Sequence, residues 1–125
     1  MTESKRFPKI QLPCRLKIGT APEFLMTHTE NIGPGGIRVY LAADIPRGTL
    51  VAMEVFLEQI VTIKNKGFVV WSIKDPVAEK TTMDKYDIGI QFDCLTGPEK
   101  QKLYELIERL NYQNEARQAV QLKSR

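Results

Sequence analysis

The chain has 125 residues, of which 42% are hydrophobic and 26% charged, and its net charge is +3 at neutral pH. This length makes one domain with a core of its own, and the composition is that of an ordinary globular protein. No apolar run reaches the length of a membrane span, and residues 1–6 do not resemble a secretory leader. The mild net charge does not by itself indicate nucleic-acid binding. Basic side chains crowd the amino end, where they are expected to attract an anion: Lys5, Arg6, Lys9, Arg15 and Lys17.

The first predicted element is a strand over residues 9–18, preceded by a basic amino-terminal arm over residues 1–8. Apolar and polar residues alternate through this strand, so one face carries only apolar side chains: Ile10, Leu12, Cys14, Leu16 and Ile18. Pro13 has no amide hydrogen to donate to a neighbouring strand, which places the strand at a sheet edge or at a bulge. Residues 24–29 form a second, weaker strand candidate.

A glycine-rich segment follows, with the sequence Asn31-Ile32-Gly33-Pro34-Gly35-Gly36. Glycine adopts positive φ at little steric cost and lets another group approach the backbone closely, whereas proline fixes φ. The segment is therefore expected to be a rigid turn with exposed amides. Such a turn either only reverses the chain or also holds an anionic ligand.

Further strands are predicted where alternation returns, at residues 37–41, 51–57 and 86–92. The β-branched stretch over residues 60–73 is interrupted at Asn65-Lys66-Gly67, so it is either a tight hairpin or a kinked strand. A polar loop is expected over residues 74–85. Six or seven short strands with one apolar face each predict an antiparallel sheet over residues 9–95, curled into a small barrel or a sandwich.

One helix is predicted at the carboxyl end, over residues 96–112. Thr96 and Glu99 have the spacing of a capping box at its start. A single apolar stripe would dock the helix on the barrel: Leu103, Leu106, Ile107 and Leu110. Residues 113–125 are polar and are expected to be a frayed helical extension or disordered, with a partner-binding helix as the alternative.

Catalysis is not expected, and neither a metal nor a cofactor is predicted. His28 is the single histidine, which excludes a cluster of His and Cys ligands, and no nucleophile elbow lies near it. Cys14 and Cys94 are expected to be buried free thiols of a cytosolic protein, with a disulfide or a metal pair as the alternative. Trp71 is expected to pack in the barrel, with a platform for a stacked base as the alternative.

In this order and spacing, the segments resemble a PilZ domain over roughly residues 5–110. The matching pieces are Thr29-Glu30-Asn31-Ile32 with Gly35-Gly36, Gly48-Thr49-Leu50-Val51, Val69-Val70-Trp71, and Tyr86-Asp87-Ile88-Gly89-Ile90-Gln91-Phe92. The resemblance implies a mainly β fold, a six-stranded antiparallel barrel with a carboxy-terminal helix packed on it. It also implies a non-catalytic, cytoplasmic role in bacterial signalling through the second messenger cyclic di-GMP.

The family binds that ligand through an RxxxR motif and a [DN]xSxxG motif. Lys5 and Lys9 occupy the two arginine positions, with Arg6 beside them, and the second motif maps to Asn31, Gly33 and Gly36, with Gly33 in the serine position. The predicted ligand-binding set comprises these six residues and an arginine in the strand after the turn: Lys5, Arg6, Lys9, Asn31, Gly33, Gly36 and Arg38.

These departures predict weak binding. Arginine can grip a phosphate or a guanine edge with two parallel hydrogen bonds and stack on a purine, whereas lysine offers one hydrated point charge. Two such replacements and the missing serine hydroxyl together cost about 2–5 kcal/mol, which weakens binding roughly thirty- to several-thousand-fold.

Three functions follow from the sequence. The first is a cyclic di-GMP receptor or adaptor, whose arm closes over the ligand and whose change is sensed by a protein of a signalling or motility apparatus. The second is a PilZ-like adaptor of motility or pilus control that has lost nucleotide binding and acts by protein contact. The third is a nucleic-acid-binding barrel, suggested by Phe7 and Tyr40 near the basic arm, for which the chain has too few aromatic residues on one sheet face. Neither nucleic acid nor membrane insertion is therefore expected.

Overall fold

The computed structural model describes residues 10–57, 62–76 and 84–123, and for residues 111–123 only the helical backbone. The basic arm with Lys5, Arg6 and Lys9 lies outside the described residues. The elements are β1 (Pro13–Ile18), β2 (Leu25–His28), β3 (Asn31–Gly33), β4 (Gly36–Leu41), β5 (Leu50–Phe56), β6 (Thr62–Lys74), β7 (Tyr86–Phe92) and α1 (Gly97–Lys123).

All seven strands form one curled antiparallel sheet in the order β2-β1-β5-β6-β7-β4-β3. The strands at the two ends of this order are β2 and β3, which follow each other in the sequence with only Thr29 and Glu30 between them. The chain itself therefore joins the two ends of the sheet. This arrangement confirms the predicted antiparallel barrel with a carboxy-terminal helix.

The strand count is seven rather than six because the glycine-rich segment is mostly strand. Gly33 pairs with Gly36, so β3 and β4 form a hairpin whose tip is Pro34 and Gly35. The first strand also differs from its prediction. It starts at Pro13, where no amide hydrogen is required, and it lies between β2 and β5 rather than at an edge.

Alternation along the strands places one apolar face of each strand inside the barrel. The pattern is clearest in β5, where Val51, Met53 and Val55 are buried and the residues between them are not. Ile10 and Leu12 are also buried, although both precede β1. The core is contiguous from these two residues to the helix.

The long β-branched stretch is one kinked strand rather than a hairpin. Asn65 and Gly67 pair with β5 without interruption, and the irregularity lies further along, between Val69 and Trp71. There Val70 is an extra residue opposite β7, which makes a β-bulge. The bulge changes which face of the sheet the rest of β6 presents.

A buried threonine fixes the amino end of the described chain. The Thr29 hydroxyl donates to the Ile10 carbonyl (2.6 Å) and accepts from the Leu12 amide (3.0 Å), while its own amide donates to the Leu12 carbonyl (2.9 Å). Thr29 has no exposed surface. These bonds hold residues 10–12 against the bend at Thr29 and Glu30, which directly precedes Asn31.

The helix begins as predicted. The Thr96 amide donates to Glu99 Oε1 (3.0 Å), and the Glu99 amide donates to Thr96 Oγ1 (3.2 Å), which is a reciprocal capping box. The predicted stripe faces the core: Leu103, Leu106 and Ile107 are buried, and Leu110 packs beside them. The helical backbone continues beyond Tyr112 as far as Lys123.

Candidate functional site

The candidate site lies on the outer face of β3, β4, β6 and β7. Alternation in β4 turns Arg38 and Tyr40 away from the core, and alternation in β7 does the same for Asp87. The register pairs Arg38 with Gly89 and Tyr40 with Asp87. Arg38 and Asp87 are therefore diagonal neighbours, within reach of long side chains.

The guanidinium of Arg38 binds three side chains. Its Nε and Nη2 donate to the two carboxylate oxygens of Asp87, each at 2.9 Å. Nη1 donates to Asn31 Oδ1 at 2.9 Å, and Nη2 donates to the Tyr40 hydroxyl at 2.8 Å. The bidentate pair with Asp87 fixes the plane of the guanidinium, because two parallel bonds define it.

This pairing shifts the pKa of both partners. Burial alone would raise the pKa of Asp87, but hydrogen bonds from Arg38 and Trp71, together with the charge of Arg38, hold it below the ordinary value. The hydrogen bond to Asp87 raises the pKa of Arg38. Both groups are therefore charged at neutral pH, and the ion pair remains intact there.

Trp71 lies on the same outer face. Its indole rests on Gly89, where an added Cβ would lie 2.5 Å from three ring atoms, and its Nε1 donates to Asp87 Oδ1 at 3.0 Å. The side chain is 39% exposed, so the prediction that Trp71 packs inside the barrel is wrong. The bulge at Val70 is the reason, since unbroken alternation would have put Trp71 on the same inward face as Val69.

The β3–β4 hairpin borders a groove of about 440 Å³, whose lining includes Pro34, Gly36, Trp71, Gln91 and Lys100. Glycine is required at Gly36 because an added Cβ would lie 2.1 Å from the Ile90 carbonyl oxygen. Positive φ, which was expected of the turn glycines, occurs in the described chain at Gly19 and Gly48. Among the turn glycines, Gly36 thus serves close backbone approach.

The structure brings together four of the predicted site residues in one hairpin: Asn31, Gly33, Gly36 and Arg38. Gly33 is buried and pairs with Gly36 at the base of the hairpin. The arm residues Lys5, Arg6 and Lys9 remain predictions, because they lie outside the described residues.

Three residues of the site were absent from the ligand-binding set predicted from the sequence, and Trp71 was considered only as an alternative platform for a base. The three are Asp87, Tyr40 and Lys85. Lys85 Nζ lies 4.2 Å from the centroid of the Tyr40 ring, and Arg38 lies on the same ring at 5.2 Å. A signal for Asp87 was present, since it lies on the polar side of the last strand, two positions before Gly89. Its partnership with Arg38 depends on the pairing of β4 with β7, which the sequence does not specify.

The remaining side chains with reactive or metal-binding chemistry lie apart from this cluster. Within the described residues, no group of three or more His, Cys, Asp or Glu side chains could hold a metal ion. His28 lies 3.0 Å from Glu30, with its Nε2 facing the carboxylate. Cys14 is buried, as predicted, but Cys94 is exposed because it follows the end of β7.

A family model described as PilZ domain matches residues 2–109. The chain belongs to the PilZ domain family. No curated protein matches it. Within the described residues, no helix is long and apolar enough to cross a membrane.

Solved PilZ-like structures share the fold at low sequence identity. The motility inhibitor MotI/DgrA of Bacillus subtilis is 20% identical with a TM-score of 0.72, and the match covers 86% of this chain and 50% of that one. MrkH of K. pneumonia in its apo state is 14% identical with a TM-score of 0.73, covering 90% and 52%. The PilZ domain of YcgR from Escherichia coli, solved with c-di-GMP, is 17% identical with a TM-score of 0.65, covering 93% and 92%. This chain thus spans about half the length of the MotI and MrkH chains.

Proposed function

We propose that this PilZ domain is a non-catalytic receptor for cyclic di-GMP that acts in the bacterial cytoplasm and binds its ligand weakly. The observation that carries the proposal is the cluster of Asn31, Arg38, Asp87 and Trp71 on one outer face beside the β3–β4 hairpin. The YcgR domain, which has the same fold, was solved with this nucleotide.

The cluster suits a ligand that carries guanine rings and phosphates. A base can stack on the exposed side of Trp71, a contact that contributes about 1–3 kcal/mol. Arg38 presents the face of a guanidinium that is already held in plane, so little side-chain entropy is lost when a ring packs on it. Lys5, Arg6 and Lys9 would supply positive charge for the phosphates, as the family resemblance implies.

Weak binding is proposed because the serine position of the second motif is Gly33. This residue has no hydroxyl and is buried in the hairpin. The loss of one hydrogen bond costs about 0.5–1.5 kcal/mol. Lysine in place of the two arginines of the arm adds to this cost.

The test is calorimetric titration with cyclic di-GMP at moderate salt, with GMP as the control ligand. We expect saturable heat below about 100 μM ligand, weakened by Asn31→Ala, Arg38→Ala or Lys5→Ala roughly tenfold each, as the loss of one charge-assisted bond predicts. No heat at about 100 μM would exclude the receptor function at cellular concentrations of a second messenger.

A second candidate is an adaptor that acts by protein contact without the nucleotide. The outer face next to Trp71 carries large apolar side chains, with Leu50 44% exposed, Phe68 41% and Ile73 59%, and Leu50 pairs directly with Phe68. Exposed apolar patches of this kind mark interaction surfaces. Affinity capture of a motility or signalling protein that is unchanged by added nucleotide, and is lost in Phe68→Ser, would favour this function over the first.

A further inference from the structure

We propose that Asp87 is a positioning residue that makes Trp71 and Arg38 act as one unit toward the ligand. The proposal rests on the proposed receptor function, which it deepens by adding a residue outside both ligand motifs. Asp87 itself touches neither a base nor a phosphate in this proposal. It acts through the two side chains that it holds.

The central observation is a shared acceptor. One carboxylate oxygen, Asp87 Oδ1, accepts from Arg38 Nε at 2.9 Å and from Trp71 Nε1 at 3.0 Å. The other oxygen accepts from Arg38 Nη2 at 2.9 Å. The guanidinium and the indole come from different strands, β4 and β6, and Asp87 lies between them on β7. The relative position of the two rings is thus set by one carboxylate.

Trp71 depends on this bond more than Arg38 does. The indole packs flat against the backbone at Gly89, which fixes the tilt of the ring. Because glycine has no side chain, it does not stop the ring from rotating within its own plane. The bond from Nε1 to Asp87 sets that rotation. Arg38 has additional partners in Asn31 and Tyr40. Loss of Asp87 is therefore expected to release the indole first.

The test must remove both carboxylate oxygens. An asparagine at position 87 could turn its amide oxygen to the Oδ1 position and keep both bonds there, so it would leave the shared acceptor in place. Asp87→Leu has a similar shape and carries no acceptor, so it removes the shared acceptor without leaving a large cavity. Glu54→Leu is the matched control, because Glu54 is also a mostly buried carboxylate on the outer face, paired with Arg15 at 2.9 Å.

The first experiment needs no ligand. Trp71 is the single tryptophan, so emission excited at wavelengths that the four tyrosines do not absorb reports on this ring alone. We expect Asp87→Leu to shift the emission to longer wavelength and to increase quenching by acrylamide, whereas Glu54→Leu leaves both unchanged. Thermal unfolding of each variant checks that it is folded. An emission spectrum and quenching constant for Asp87→Leu equal to those of the unaltered protein would refute the proposal.

The second experiment is a double-mutant cycle on cyclic di-GMP affinity. We expect Asp87→Leu and Trp71→Phe each to weaken binding roughly tenfold, and the double variant to bind less than tenfold more weakly than Trp71→Phe alone, because part of the effect of Asp87 passes through Trp71. Independent, multiplying losses would contradict the proposal. If the unaltered protein does not bind the nucleotide, the receptor function fails, and the emission measurement still decides whether Asp87 positions Trp71.

Discussion

The hydroxyl of Thr29 gives the sharpest stability prediction. Thr29→Val keeps the shape of the side chain but removes the donor to the Ile10 carbonyl and the acceptor for the Leu12 amide. Both backbone groups then stay buried, because Ile10 and Leu12 belong to the core. Each unsatisfied group costs about 1–3 kcal/mol, and movement of the chain end relieves part of this cost. We therefore expect the free energy of unfolding to fall by about 2–4 kcal/mol.

The assay is urea unfolding followed by circular dichroism, with Thr29→Ser as the matched control. Serine keeps the hydroxyl and loses one methyl group, which costs about 1 kcal/mol. We therefore expect Thr29→Val to be the less stable variant by about 1–3 kcal/mol, with a melting temperature lower by about 5–10 °C. If valine proves as stable as serine, the hydroxyl does not anchor residues 10–12 and the reasoning is refuted.

Three further predictions follow from the outer face and the thiols. Gly89→Ala puts a Cβ where the indole of Trp71 lies, so we expect the tryptophan emission to shift to longer wavelength and the free energy of unfolding in urea to fall by about 1–3 kcal/mol. An unchanged emission spectrum would contradict this prediction. Because the pKa of Asp87 is lowered in the folded protein, its carboxylate stabilises the fold at pH values above the unfolded pKa of about 4, and this contribution is lost as the pH falls through the folded pKa. Unfolding measured as a function of pH should therefore show the full stability difference between the unaltered protein and Asp87→Asn at pH 7, and a smaller difference in acid. Cys94 is exposed, whereas burial raises the pKa of Cys14 to about 12. One thiol should therefore react with a disulfide reagent in the native protein and two after unfolding, and fast reaction of both thiols in the native protein would contradict the burial of Cys14.

Much of the barrel could be predicted because strand alternation is a local property. The apolar faces of β4, β5 and β7 and the stripe on α1 follow from residue spacing alone, and the structure buries them. The capping box at Thr96 and Glu99 is equally local. The glycine-rich segment was misjudged in part, because Gly33 and Gly36 are compatible with both a turn and an extended pair.

The candidate site could be predicted only in part, because its geometry depends on contacts between distant strands. A single extra residue at Val70 reverses the facing of Trp71, and no local signal marks that bulge. The bond from Trp71 to Asp87 then follows from the register of β6 against β7. The roles of Lys5, Arg6 and Lys9 remain predictions for binding experiments.

The way the sheet ends are joined has a topological consequence. β2 and β3 lie at opposite ends of the strand order, yet only Thr29 and Glu30 separate them along the chain. Each of these two strands has one neighbour in the described sheet, so the chain itself, rather than a strand ladder, holds the two ends together. A single proteolytic cut at these two residues would leave every strand ladder intact but remove this covalent link, and we expect the cut protein to exchange strands between molecules more readily than the intact protein.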